Sequence, residues 1–412
     1  MILFLLVNFA DWFLELLNYR YLKKHDSDIP EEFEDWIDLD KLKETMNYTT
    51  EKFRFNLVSS VFDELLIPVF IFSGLLNLYN SWVSGFNFSF ILGGLIFFLI
   101  LSYLKAVIDI PFNLFSTFKI ENKYGFNTMS LKLWIKDFLI SLILSSILMG
   151  IIIGVSLLLI EKLPEFWWLP VWGFFFLFSI FMLYISPYVL EPLFNKFTPI
   201  EDEELEESIK SLLAKAGIKV SRVFKMDASR RTRHTNAYFS GIGPVKRIVL
   251  FDTLLDQLNG DEILAVLAHE AGHWKKKHII KYLMIFEFLA LTGAFLCFLL
   301  LQSDYLSRLF FISQDNFYVR LFLLGFVASI VLWPLQPLLN ALSRHFERQA
   351  DDFSVDLTGS ASALSSALIK LSKDNLSNIH THPLYAMFNY SHPEVIQRLR
   401  RLKSGATTVI QE

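Results

Sequence analysis

Seven stretches of this chain run for about 20 residues with apolar side chains at nearly every position, the length an α-helix needs to cross a bilayer. They lie near residues 2–18, 56–78, 88–108, 138–160, 167–190, 279–301 and 319–342. The first carries Asp11 and Glu15, so it reads as a span or as an interfacial helix. No basic segment precedes it and no small-residue cleavage site follows, which is not the pattern of a signal peptide. Pro334 and Pro337 should kink the seventh span, after which NALSRHFERQADDFSVDL continues as helix.

Between the spans the pattern changes. Pro187, Pro192 and Pro199 mark the passage from the fifth span into a soluble region. Residues 201–216 alternate as an amphipathic helix with an acidic start, and two strands follow at 220–226 and 247–251. Gly241, Gly243 and Pro244 read as the turn before the second strand, with Asn236 to Phe239 extended on an edge. An exposed strand of that kind is a template for an extended peptide. The segment from Gly260 to Lys281 contains no proline and reads as one helix running without a breaker into the sixth span. That places Lys275, Lys276, Lys277 and His278 at the lipid headgroups, with His278 as an interfacial residue. The acidic segment 26–44 is either a solvated surface or a lid, and the loop from Ile110 to Asp137 is a structured turn at the membrane surface.

Composition turns these patterns into a class. Of 412 residues 53% are hydrophobic and 42 are Phe, so the chain is a membrane protein. A net charge of -4 with scattered basic residues gives no reason for a nucleic-acid partner. The single cysteine, Cys297, lies in an apolar run and serves packing, which excludes disulfides and Cys-rich metal sites. Arg20, Lys23, Lys24, Lys41, Lys43, Lys52 and Arg54 follow the first span, whereas the loop at 80–86 has no lysine or arginine. Alternation of this kind puts the N-terminus outside and residues 191–278 and the C-terminal tail in the cytoplasm.

The candidate chemistry is concentrated at His269, Glu270 and His273, an HExxH motif. Four residues is about one helical turn, so both imidazoles share a face and can converge on one zinc ion, with Glu270 toward its open side. Zinc acidifies a bound water, and the carboxylate can take its proton as it attacks a carbonyl, which is peptide hydrolysis. A third ligand is needed. Glu347, Asp352, Glu287 and His345 are all candidates, and Asp351 lies on the same helical face as Glu347, where it could accept a hydrogen bond from a ligand imidazole.

The chain resembles the type I CAAX prenyl endopeptidases, integral-membrane zinc metallopeptidases of the Ste-twenty-four type. The resemblance spans nearly the whole length. It rests on PFNLFSTFKIENKYGFN at 111–127, PLFNKFTP at 192–199, HTNAYFSG at 234–241, RIVLFDTLL at 247–255, AHEAGHWKKKH at 268–278, FERQAD at 346–351 and YSHPEVIQRL at 390–399. It implies an α-helical integral membrane protein: a barrel of seven transmembrane helices around a large hydrated chamber, with a small α+β, gluzincin-like metallopeptidase subdomain. It favours Glu347 as the third ligand of one Zn2+ per chain. It puts Asn236 and His392 beside the zinc, hydrogen-bonding the substrate carbonyl or developing oxyanion, with Arg398 ordering His392. His380 and His382 read as loop histidines.

The expected organisation is transmembrane helices 1–5 with cytoplasmic loops at 1–190 and a metallopeptidase subdomain with the HExxH helix at 191–278. Transmembrane helices 6–7 follow at 279–342, and the C-terminal part of the subdomain at 343–412. The expected activity is hydrolysis of a peptide or prenylated protein C-terminus, removing the last three residues of CAAX proteins. A broader membrane-protein quality-control protease is the alternative, and a non-proteolytic transporter or scaffold the reading from another class. A monomer in the lipid bilayer is expected, in the endoplasmic reticulum membrane of a eukaryote or the inner membrane of a bacterium.

Overall fold

The computed structural model describes residues 1–240 and 245–409. The predicted turn at Gly241, Gly243 and Pro244 lies outside the described residues. Helices α1 (Ile2–Lys24), α2 (Leu39–Phe72), α3 (Leu75–Ser84), α4 (Phe90–Phe115), α5 (Leu131–Lys162) and α6 (Trp168–Ile185) form the first half. The short α7 (Glu191–Phe194) leads to strand β1 (Phe197–Pro199), α8 (Glu203–Lys215), β2 (Lys219–Met226), β3 (Ala237–Ser240) and β4 (Val245–Phe251). Then come α9 (Asp252–Gln257), α10 (Gly260–Lys275), α11 (His278–Leu301), α12 (Tyr305–Leu309) and α13 (Phe317–Leu332). The chain closes with α14 (Gln336–Thr358), α15 (Ala361–Asp374), α16 (Pro383–Asn389) and α17 (Val395–Val409).

Among the described residues seven helices are long and apolar enough to cross a membrane, the one near the N-terminus among them. They touch in sequence order: α1 with α2, α2 with α4 through α3, then α4 with α5, α5 with α6, α6 with α11, α11 with α13, and α13 back on α1. The ring is closed. Only 6% to 17% of the apolar stretch of each span is buried within the protein, too little for a solid bundle. The inner faces therefore line a hollow, which the polar groups of a peptide can occupy only if it holds water. Two predicted features differ in detail. The kink at Pro334 is a turn of 3-10 helix, Trp333–Leu335, between α13 and α14, and α4 ends in a π-helical turn, Ser116–Glu121.

The sheet subdomain joins the ring where Arg231 donates to Asp137 near the start of α5 at 2.8 Å and Arg247 donates to the Pro187 carbonyl just beyond α6 at 2.9 Å. Its sheet has the order β1-β2-β4-β3, with β2 parallel to β4 and the outer pairs antiparallel. β3 is an edge, where the turn residues before the second strand put Asn236 to Phe239. β1 is not visible in the sequence, because three residues carry no period. Ile209, Leu213, Val223, Ile248, Leu250, Ile263 and Leu267 form the core between α8, the sheet and α10.

The acidic segment is bound rather than free to act as a lid. Phe33, 1% exposed, inserts among Ala265, Leu364, Leu368, Leu399 and Leu402. Around it Glu32 accepts from Arg400 at 2.7 Å and Glu31 pairs with Lys403 at 3.0 Å. The apolar plug holds the segment and the ion pairs orient it, since exposed pairs contribute at most about 1 kcal/mol.

Candidate metal centre

α10 begins with a capping box. The Asn259 side chain accepts from the Glu262 amide at 3.0 Å, and Glu262 accepts from the Asn259 amide at 2.9 Å. Glu262 is 2% exposed and also accepts from Ser366 at 2.5 Å and Lys370 at 2.8 Å, which ties the start of α10 to α15. Burial alone would raise its pKa, but Lys370, Ser366 and the Asn259 amide outweigh it and hold the carboxyl below the usual glutamate value.

α14 crosses α10 at very short range. A Cβ added to Gly272 would lie 2.9 Å from the Ala350 Cα and 3.2 Å from its carbonyl oxygen, so only glycine admits this approach. Ser354 Oγ donates to the Ala265 carbonyl at 2.7 Å and fixes the register of the crossing. With that register set, Glu347 faces the two histidines one helix away.

The donor atoms converge. His269 Nε2 and His273 Nε2 are 3.2 Å apart. His269 Nε2 is 3.4 Å from Glu347 Oε2, and His273 Nε2 is 3.2 Å from Glu347 Oε1. Tetrahedral coordination with bonds of about 2.1 Å requires donor separations of about 3.4 Å, so this spacing fits a first-row divalent ion. The chemistry fits as well. Glu347 is 4% exposed and its Oε2 has no aligned protein donor, an orphan that a cation would satisfy. Three groups that offer lone pairs thus meet at one largely buried point, and His273, its side chain 23% exposed, is the donor with most access to solvent.

The surrounding residues orient these donors. Asp351, 2% exposed, places Oδ1 2.9 Å from His269 Nδ1, and Arg398 grips it with two hydrogen bonds of 2.9 and 2.5 Å. Burial would lower the pKa of His269, but the Asp351 and Glu347 carboxylates facing it raise it to about 9. His392 brings Nδ1 to 2.9 Å from Glu347 Oε2 and is itself 65% exposed, so its ring reaches both the donor set and the hollow. Glu270 is half-buried beside the same groups, and burial pushes its carboxyl above the ordinary glutamate range. Asn236 stands at the start of β3, where its Oδ1 accepts from the Ala237 amide at 2.9 Å.

Several expectations change. Arg398 does not order His392; it binds Asp351. The strap that carries His392 is held instead by Arg344, one turn before Glu347 on α14, which donates to the carbonyl of Tyr390 at 2.5 Å and to that of Met387 at 3.2 Å. The rival ligands are placed elsewhere: Asp352 pairs with Arg401 at 2.7 Å, His345 accepts Gln349 at 2.9 Å, and Glu287 lies within α11. His380 bonds the Asp28 carbonyl at 2.6 Å and His382 caps α16, as loop histidines do. The helix of the motif does not run on into the sixth span, since it stops at Lys275 and α11 starts at His278. His278 is not interfacial but 1% exposed. Nothing in the residue spacing announces Arg344, Gln349 or the break, because each depends on a partner distant in the chain.

Comparison with known proteins follows the same lines. Residues 18–196 match the model described as CAAX prenyl protease N-terminal, five membrane helices, and residues 199–406 match peptidase family M48. The chain is 36% identical over 424 residues to CAAX prenyl protease 1 of Saccharomyces cerevisiae, covering 95% of this chain and 92% of that one. It is 40% identical over 303 residues to the CAAX prenyl protease 1 homolog of Arabidopsis thaliana, covering 72% of this chain and 70% of that one. The crystal structure of S. mikatae Ste24p superposes with a TM-score of 0.90 at 31% identity, covering 97% of this chain and 98% of that one.

Proposed function

The chain belongs to peptidase family M48, and from that premise, a multi-pass membrane metalloprotease, we propose a zinc endopeptidase that removes the C-terminal tripeptide of prenylated CAAX proteins. The observation that carries the zinc site is the convergence of His269, His273 and Glu347, whose donor atoms all lie within 4.8 Å of one another. Two imidazoles, one carboxylate and an open position are the donor set of a catalytic zinc site rather than a closed structural one. A zinc ion there supplies a Lewis acid that acidifies water and polarises the scissile carbonyl.

The chain's own residues carry the remaining steps. The free edge of β3 holds the substrate extended through main-chain hydrogen bonds, so that one carbonyl faces the donor set. Glu270 takes the proton of the attacking water, its raised affinity suiting the task, and delivers it to the departing amine. His392 and Asn236 donate to the oxygen on which negative charge develops. Asp351, clamped by Arg398, fixes the ring of His269 with its Nε2 lone pair toward the metal.

Four parts share this work: spans 1–5 at 1–190, the motif-bearing subdomain at 191–278, spans 6–7 at 279–342 and the closing segment at 343–412. The donor set of His269, His273 and Glu347 is complete within one chain, so a monomer suffices for the chemistry. The basic loops favour the cytoplasmic side for the subdomain, in the endoplasmic reticulum membrane of a eukaryote or the inner membrane of a bacterium.

Two measurements test the reading. Purified protein should hold one equivalent of zinc, and Glu347→Ala should lose it; wild type without metal would end the proposal. A farnesylated peptide should be cut faster than its unmodified twin. Equal rates would replace the CAAX assignment with a broad-specificity membrane protease.

A further inference from the structure

We infer that His278 is a positioning residue that fixes the metal-binding tautomer of His273, as the first link of a one-way hydrogen-bond relay through Gln349 to His345. The inference rests on the reading of His273 as a metal ligand and goes beyond it.

The relay exists because the motif helix breaks. In a continuous helix a residue five positions after His273 would point about 140° away from it around the axis. Lys277 instead takes φ 57° and ψ 36°, a left-handed conformation that is strained for a residue with a side chain. No proline or glycine stands at the break to explain it. What the break achieves is to fold His278 back beneath His273. The ring is 1% exposed and stacks flat on Phe346, with centroids 4.2 Å apart and planes at 7°.

Hydrogen bonds then run in one direction. His278 Nδ1 is 3.1 Å from His273 Nδ1, His278 Nε2 is 2.9 Å from Gln349 Oε1, and Gln349 Nε2 is 2.9 Å from His345 Nε2. A neutral imidazole has one donor and one acceptor nitrogen. The amide oxygen of Gln349 can only accept, so His278 carries its proton on Nε2 and presents a lone pair at Nδ1. His273 must therefore donate from Nδ1, which leaves Nε2 with its lone pair directed at His269 and Glu347. The amide nitrogen of Gln349 in turn donates to His345. Turning the Gln349 amide over would reverse every link and place a proton on His273 Nε2, where the metal belongs.

The two ligand rings are thus supported by different means. His269 leans on a carboxylate whose charge Arg398 balances, and His273 on an uncharged ring. Neither support adds net charge, so the ion retains the electrophilicity that a further unbalanced carboxylate would reduce.

The test separates tautomer control from packing. Asparagine places its side-chain oxygen where histidine has Nδ1, whereas glutamine reaches only to the position of Nε2. Full-length protein in nanodiscs, stripped of metal, is titrated with Zn2+ alone against a competing chelator. His278→Gln and His278→Phe should weaken Zn2+ binding about 10- to 100-fold, the usual range for a lost partner of a metal-bound histidine. His278→Asn should restore most of it, although it removes the stacked ring as fully as glutamine does. Gln349→Met, which leaves His278 in place and cuts the second link, should show a smaller loss in the same direction. His278→Gln or Gln349→Met binding Zn2+ like wild type, or His278→Asn failing as badly as His278→Gln, would overturn the relay. If wild type binds no Zn2+, or Glu347→Ala binds it equally well, the metal site itself falls and the relay with it.

Discussion

Two glycines sit at close helix contacts, and they differ in what lies opposite. Gly272, inside the motif, faces the backbone of α14, with Ala350 Cα 2.9 Å from where a Cβ would stand. Gly94, in the wall of the ring, faces the side chains of Leu157 and Tyr318, the latter 2.8 Å away. A leucine methyl can rotate aside, and a backbone atom cannot. The crossing that carries the donor set is therefore built to a fixed spacing, while the crossing in the wall of the ring tolerates adjustment. Far from the site the ring is held by aromatic side chains such as Phe97, Trp167, Phe298, Phe310 and Phe326, which bury large area without demanding one geometry.

That contrast can be broken from both sides. The largest effect is expected for Gly272→Ala, which should destabilise by about 3 kcal/mol, the upper end for overpacking, and also spread the donors. Metal content and turnover should both vanish; a variant retaining full metal would show that α14 yields after all. Glu270→Gln comes next, because it leaves the crossing intact and removes the base. Turnover should drop about 100- to 10,000-fold with metal content and melting temperature unchanged. Gly94→Ala should cost about 1–2 kcal/mol in thermal stability while leaving turnover within about twofold. Loss of metal there would mean that the ring and the site are rigidly coupled.

The smallest effect is expected for Glu262→Gln, which weakens the cap and its link to Lys370 by about 1 kcal/mol at neutral pH. The pKa of Glu262 is depressed in the folded protein, so its contribution is present above the unfolded value and fades as pH falls through the folded one. Melting curves of wild type and variant should converge in acid. A constant gap across pH would assign the loss to shape rather than charge.

Much of this was legible in the residues. The spans declare themselves by length, the motif by a spacing of one turn, and β2 and β4 as strands on either side of the turn residues, with β3 as the extended edge between them. What could not be read is instructive. Asp351 and Glu347 share a face in any helix, but only the folded chain shows Arg398 reaching Asp351 rather than the nearer His392. Phe33 is one aromatic in an acidic run, and its burial depends on a cavity assembled from α10, α15 and α17. The break at Lys277 has no local signature at all, since a lysine bears the strain and the compensation is the buried stack of His278 on Phe346. Position-specific strain is invisible wherever its relief comes from tertiary contacts.

The turn at Trp333–Leu335 works as the fulcrum of a lever. Glu347 lies twelve residues beyond it on one stiff helix, about 18 Å at the rise of an α-helix. A tilt of about 3° at that point carries the carboxylate about 1 Å sideways, half the length of a metal–ligand bond. Trp333 hangs on Asp11 of the first span by hydrogen bonds of 2.9 and 3.0 Å, so the fulcrum is braced by a neighbour that leans with the bilayer. The close approach of α14 to Gly272 resists that tilt at the far end of the lever, so the carboxylate keeps its place only while both ends hold.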